Sequence, residues 1–110
     1  MKLRLPMKLL TKLPTDEETN QLFDMVMERL VEDCDCSEFE ANALIHEYYQ
    51  KFRDEEYCRK INIGVQDDDF FFHEGAGGMV LRIYYHLVLK GNPDWESFIE
   101  WRSRPNKRSL

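Results

Sequence analysis

Apolar residues return every three or four positions through the first third of the chain. Leu22, Phe23, Val26, Met27, Leu30, Val31 and Cys34 share one helical face, with Asp24, Glu28 and Glu32 opposite. Thr15, directly after Pro14, is placed to cap this helix, and Asp16, Glu17 and Glu18 set negative charge at the positive end of its dipole. The Asp-Cys-Asp-Cys stretch at 33–36 ends it. Ser37 with Glu40 forms a capping box that opens a second helix running to about Asp54. That helix is expected to bury Phe39, Ala43, Leu44, Tyr48 and Phe52, with Ile45 and Tyr49 broadening the stripe. The short break predicts that the two helices pack antiparallel.

The period then shortens to two. Ile61, Ile63 and Val65 alternate with Asn62 and Gly64, which suits a short strand. Asp67, Asp68 and Asp69 would form a turn, and Phe70, Phe71 and Phe72 a returning strand, so 60–72 reads as a β-hairpin or as an ordered loop. A third helix is predicted over 76–90, with Gly91 and Pro93 as its stop. It is apolar nearly all round, which makes it the central helix; Arg82, His86 and Lys90 form its single polar stripe. Asp94 caps a fourth helix whose Trp95, Phe98, Ile99 and Trp101 seek the core. The expected fold is therefore mainly α, a compact bundle of about four helices, with the hairpin between helices two and three as its optional element. Leu3, Leu5 and Met7 alternate with Lys2 and Arg4, but Pro6 restricts residues 1–14 to an edge strand or to an arm lying on the body. Residues 102–110 form a basic tail, broken by Pro105 and expected to lack fixed structure.

Composition adds bounds. At 110 residues and 43% hydrophobic content the chain fits one globular domain rather than a disordered segment. Three cysteines, an odd count, favour reduced thiols and a cytoplasmic location over a disulfide scaffold. No run approaches the roughly 18 apolar residues of a membrane span, and the basic start lacks the apolar block of a secretory signal. Charge changes the picture most. Residues 15–100 hold 7 basic and 21 acidic side chains, whereas 1–14 and 102–110 each hold four basic groups and no acid. An acidic body of this kind attracts basic partners and repels nucleic-acid phosphates.

Candidate chemistry is sparse. His46, His73, Glu74 and His86 are residue types that ligate zinc or iron, but neither His-x-x-x-His nor a repeated Glu-x-x-His occurs. Neighbours on a helix point about 100° apart, so His46 and Glu47 do not readily share one ion. The glycines of His73–Gly78 could expose amides to an anion, yet the lysine of a phosphate loop and the third glycine of a dinucleotide fingerprint are missing. Cys34 and Cys36 are flanked by Asp33 and Asp35, which raise thiol pKa values, opposite to what a nucleophile needs. No cofactor is expected. The acidic and aromatic residues Glu38, Glu47, Asp67, Asp68, Asp69, Phe70, Phe71 and Phe72 instead suit a surface that steers by charge and anchors by aromatic burial.

With Ser37, Glu38, Glu40 and Glu47 the middle third of the chain resembles small acidic helical proteins that inhibit bacterial nuclease toxins. The paired tyrosines of that family have no counterpart, because Tyr84 and Tyr85 lie inside the long apolar helix. The acidic body and the lack of a workable catalytic set point to a non-enzymatic inhibitor, immunity or adaptor domain engaging a basic protein, and the resemblance ranks that reading first. The alternatives are a metal-dependent or anion-binding enzyme built on His46, His73, Glu74 and His86, and a structural homodimer. The pattern of the third helix is the most directly testable part. Ile83→Asp should abolish the cooperative thermal transition seen by circular dichroism, because it places an unpaired charge in the core.

Overall fold

Asp16 rather than Thr15 starts the first helix: its carboxylate accepts from the Thr19 amide at 2.8 Å. The computed structural model describes residues 7–110. The element order is α1 (Glu17–Asp33), α2 (Glu38–Phe52), α3 (Glu55–Lys60), α4 (Asp68–Ile83), a π-helical turn (Tyr84–Val88) and α5 (Trp95–Arg102). No strand occurs among the described residues, so the hairpin over 60–72 is not formed. Residues 55–60 are helical, 61–67 run as a loop, and Asp67 caps α4 through the Phe70 amide at 2.9 Å. Three consecutive acids close to an apolar run thus act as a helix start, where exposed amides and the dipole favour carboxylates. α4 consequently begins eight residues before the expected position at 76.

The capping box at Ser37 and Glu40 forms as expected, with both reciprocal bonds present. The buried face of α2 is rotated from the expected one, however. Ala41, Ile45, Tyr48, Tyr49 and Phe52 point inward, Ala43 is exposed, and Phe39 is 78% exposed. Tyr49 joins Tyr48 against Phe23 and Phe71, and that aromatic packing sets the helix phase.

α1 lies across α4 and α2 and supplies Phe23, Val26, Met27 and Leu30 to the main core, all without exposure. α4 adds Phe71, Met79, Val80 and Ile83, as expected of a central helix. A second cluster, Tyr85, Phe98 and Trp101, fills the space between the π-helical turn and α5. Trp95 and Ile99 of α5 stay largely outside. In the π-helical turn the Leu89 amide reaches back five residues to Tyr84 O at 2.8 Å. This widened turn lets one helix face two cores, with Leu87 in the first and Tyr85 in the second. Lys90 takes φ 55° just after it, closing the element.

Residues 7–14 cross α1 and α2 without strand pairing, and side chains satisfy their backbone instead. Asp24 accepts from Leu9 N at 2.8 Å, and Asn42 from Leu10 N at 3.0 Å and Thr11 N at 3.2 Å. Buried Asn20 accepts from Leu13 N at 2.8 Å and donates to the carbonyls of Leu13, Thr15 and Asp16. Leu13 is thereby fixed in the core at 3% exposure. Leu3 and Leu5 of the expected arm lie outside the described residues. At the other end, the Trp101 indole donates to Ser109 O at 3.1 Å and Tyr84 to Arg108 O at 3.4 Å. Asn20→Ala should cost about 2 kcal/mol in urea unfolding, since it strips partners from several buried backbone groups at once.

Candidate functional site

The acidic and aromatic residues singled out in the sequence do not make one patch. Asp67 caps α4; Asp68 accepts from the Thr15 hydroxyl at 2.8 Å and pairs with Arg53; Asp69 is exposed. Phe71 is fully buried with its ring 5.2 Å from that of Phe23, Phe70 is half-buried, and Phe72 is half-exposed. Three successive phenylalanines are thus distributed around a helix: one inward, one flanking, one outward. Asp68 sits beside Arg53, just past the end of α2, whereas Glu38 opens that helix, roughly 20 Å away along its axis. Glu47 lies on the outer side of α2, bound to Lys51 at 2.8 Å.

What does gather on that outer side is a shallow groove of about 370 Å³. Its floor is Cys34, Ala43, Leu44 and Val88; Asp35, Glu40 and Glu47 stand around it. Phe39 lies one helical turn before Ala43 on the same face and is nearly bare. Burial pushes Cys34 up to about 11, with Cys36, Asp33 and Asp35 adding to the shift. Cys36 is raised by burial and then by Glu40 and Asp35. Both thiols are held protonated, contrary to nucleophilic use.

The histidines stand apart from one another. His46 Nε2 donates to the Thr11 carbonyl at 2.8 Å and so fastens the 7–14 segment. His73 is exposed on α4. His86 is enclosed by the rings of Phe52, Tyr85 and Phe98 at 5.1–5.6 Å. Glu74 is turned to arginines rather than imidazoles. Among the described residues no three His, Cys, Asp or Glu side chains are grouped to hold a metal ion.

Sequence reasoning assigned Arg82 to a polar stripe, yet it is 7% exposed. Its Nε donates to Glu74 Oε2 at 3.1 Å with Nη2 3.0 Å from the same oxygen, and Arg102 Nη2 reaches Glu74 Oε1 at 3.1 Å. The rings of Phe70, Phe98 and Trp95 lie 4.9, 5.0 and 5.8 Å from the Arg82 guanidinium carbon. Two glycines allow this network. Gly75 takes φ 78°, which kinks α4 between Glu74 and Arg82. Gly78 lies flat under the Glu74 carboxylate, in space that a β-carbon would occupy. The only earlier signal was the glycines of 75–78, weighed in the sequence as amides open to an anion; Gly78 instead makes room for the chain's own carboxylate. On one side of the network lies a cavity of about 370 Å³ between the 62–66 loop, α4 and α5. On the other lies a cleft of about 610 Å³ where Arg29, Arg102, Lys107 and Arg108 converge with Asp33.

Compared with known protein families, curated proteins and solved structures, the chain matches none.

Burial, and secondarily the charge of Arg82, lower the His86 pKa to about 4 from 6.5. Between those values the unfolded chain binds a proton that the folded chain refuses, so stability is complete above pH 6.5 and falls as pH drops towards 4. The loss should reach roughly 3 kcal/mol over that window. The capping carboxylates Asp16 and Asp94, lowered by hydrogen bonds at Thr19 and Ser97, lose their contribution only below the ordinary value of 3.8. Urea midpoints measured across this range should show the slope in the native chain and a flat line in His86→Phe.

Proposed function

We propose that the chain is a non-enzymatic protein-binding domain, of inhibitor, immunity or adaptor type, whose acidic face engages a basic partner. The supporting observation is the groove on α2, where Asp35, Glu40 and Glu47 surround an apolar floor beside the exposed ring of Phe39. Its occupant is a helix carrying leucine-type side chains along one edge and lysine or arginine along both flanks. The apolar edge covers Ala43, Leu44 and Val88, and the flanking cations meet the three carboxylates. Phe39 supplies the aromatic anchor that rim charges alone lack. Rim charges raise the encounter rate, and the covered apolar floor slows release.

Fluorescence anisotropy with a labelled amphipathic leucine–lysine peptide tests the reading. Binding should weaken about tenfold between ~50 and ~300 mM salt. Asp35→Asn/Glu40→Gln/Glu47→Gln should weaken it by a similar factor with folding intact. Asparagine tolerates the left-handed backbone at Asp35 (φ 57°), and glutamine preserves the capping box. Phe39→Ser should act independently of salt. A distant control of equal charge, Glu55→Gln/Glu56→Gln/Glu96→Gln, should leave affinity near native. If the control weakens binding as much as the groove variant, the assignment fails. A concentration-dependent dimer that Phe39→Ser dissolves, with no peptide bound, overturns it in favour of self-association.

A further inference from the structure

We propose a second site, independent of the α2 groove: the cavity beside Arg82 binds a small organic monocarboxylate with a flat apolar body. The walls are Ile63, Val65, Phe70, Pro93, Trp95 and Phe98, and Arg82, Gln66 and His86 face in among them. A volume of about 370 Å³ fits a molecule of one or two rings and lies within the range of small-ligand pockets.

Charge selects the ligand class. Glu74 is divided between Arg82 and Arg102, so its single negative charge does not fully offset the Arg82 guanidinium that lines the cavity. Its carboxylate takes Nε and Nη2 of Arg82, and Nη1 has no acceptor among the described residues. That leaves one edge of a nearly buried guanidinium available to a carboxylate oxygen. A cationic ligand would meet this charge head on. With His86 neutral, Arg82 is the one cation among the cavity's lining residues, which suits one negative charge rather than two.

The polar groups that converge here have unused capacity. Gln66 is 4% exposed and its Oε1 accepts from the Tyr48 hydroxyl, but its amide NH₂ donates to nothing among the described residues. His86 makes ring contacts on several sides and no hydrogen bond among the described residues. Among the side-chain nitrogens and oxygens of the described residues, Thr19 Oγ1 alone is both sealed from solvent and without a partner. The free positions on Arg82, Gln66 and His86 are therefore not sealed in the core, and all three residues line the cavity. Trp95, 62% exposed, stands over the cavity where its indole can close on a flat ligand.

Two-dimensional NMR of the full chain, titrated with sodium benzoate and separately with neutral benzamide, tests the site. Benzoate should shift the Trp95 indole and Gln66 side-chain amide signals, with benzamide about tenfold weaker for want of the charge. Trp95→Ala, an exposed position, should weaken benzoate several-fold without changing the melting temperature. Val65→Phe should fill the cavity and abolish the shifts. Arg82→Lys keeps a charge against Glu74 but loses the fork, and should weaken benzoate about tenfold. Because Arg82→Lys also touches the fold, the Trp95 and Val65 variants decide independently of it. No shift at millimolar benzoate, equal shifts with benzamide, or shifts that survive Val65→Phe would each overturn the proposal. None of these outcomes bears on peptide binding at the α2 groove.

Discussion

From Ala76 onward helix α4 with its π-helical continuation is apolar around nearly its whole circumference, and α1, α2 and α5 are disposed to keep water from it. A helix of this kind cannot rest on one neighbour; each uncovered side would expose apolar area at about 25 cal/mol per Å². α1 and α2 cover Phe71, Met79, Val80 and Ile83, and α5 covers Tyr85 through Phe98 and Trp101. A straight α-helix would aim these sets along a fixed spiral. The kink at Gly75 and the π-helical turn at Tyr84–Val88 re-aim it twice, so two clusters on different sides are served by one continuous segment.

The same constraint explains why a guanidinium lies within the packing. Closing α5 over the helix traps Arg82, and a lone buried cation would be intolerable. Glu74, eight positions earlier, would sit roughly 12 Å away along a straight helix. The Gly75 kink and the bare surface of Gly78 let its carboxylate fold back to reach. Arg102 then ties α5 to the same carboxylate, so one side chain bridges the central helix and its cover. Pairs this dry gain little net stability but cost about 3–5 kcal/mol when broken from one side. They act chiefly to fix geometry.

Features governed by local rules were legible in the sequence. The α1 stripe, the Ser37–Glu40 capping box, the Asp94 cap and the central place of the helix through Ile83 all follow from period and capping. Residues 67–72 were misread because three aspartates suit a turn and a helix start equally, and Val65 with three phenylalanines imitates a strand. The phase of α2 escaped because Phe39 and Ala43 compete on hydrophobicity alone with Ala41 and Ile45; the rings of Phe23 and Phe71 decide it, and they come from other helices. Arg82 was placed on a polar stripe, and Glu74 among possible metal ligands, for the same reason: their pairing under α5 is imposed by an element that no local window contains. The outer groove was half legible, with Glu40 and Glu47 placed on α2 but its floor completed by Val88 from a distant turn, while Glu38 lies outside it.

Segregation of charge follows from this layout. The basic tail does not neutralise the acidic side of α2: Arg108 reaches Asp35 at 3.5 Å, but both side chains are 78% exposed, and such a pair contributes little in water. Lys107 turns its ammonium to the Arg104 carbonyl instead, and Arg29 has no carboxylate partner among the described residues. Cations therefore collect in the cleft between α1, α4 and the tail, while the carboxylates at Asp35, Glu40 and Glu47 remain on the opposite lip of the Asp33–Ser37 turn. A surface whose charges were evenly mixed would present no direction to an approaching partner. Here burial first, and the neighbouring carboxylates second, raise both thiols. Lys51 and Arg108 offset Glu47 and Asp35 only through half- to largely exposed pairs, so the acid stays concentrated next to an uncovered aromatic ring.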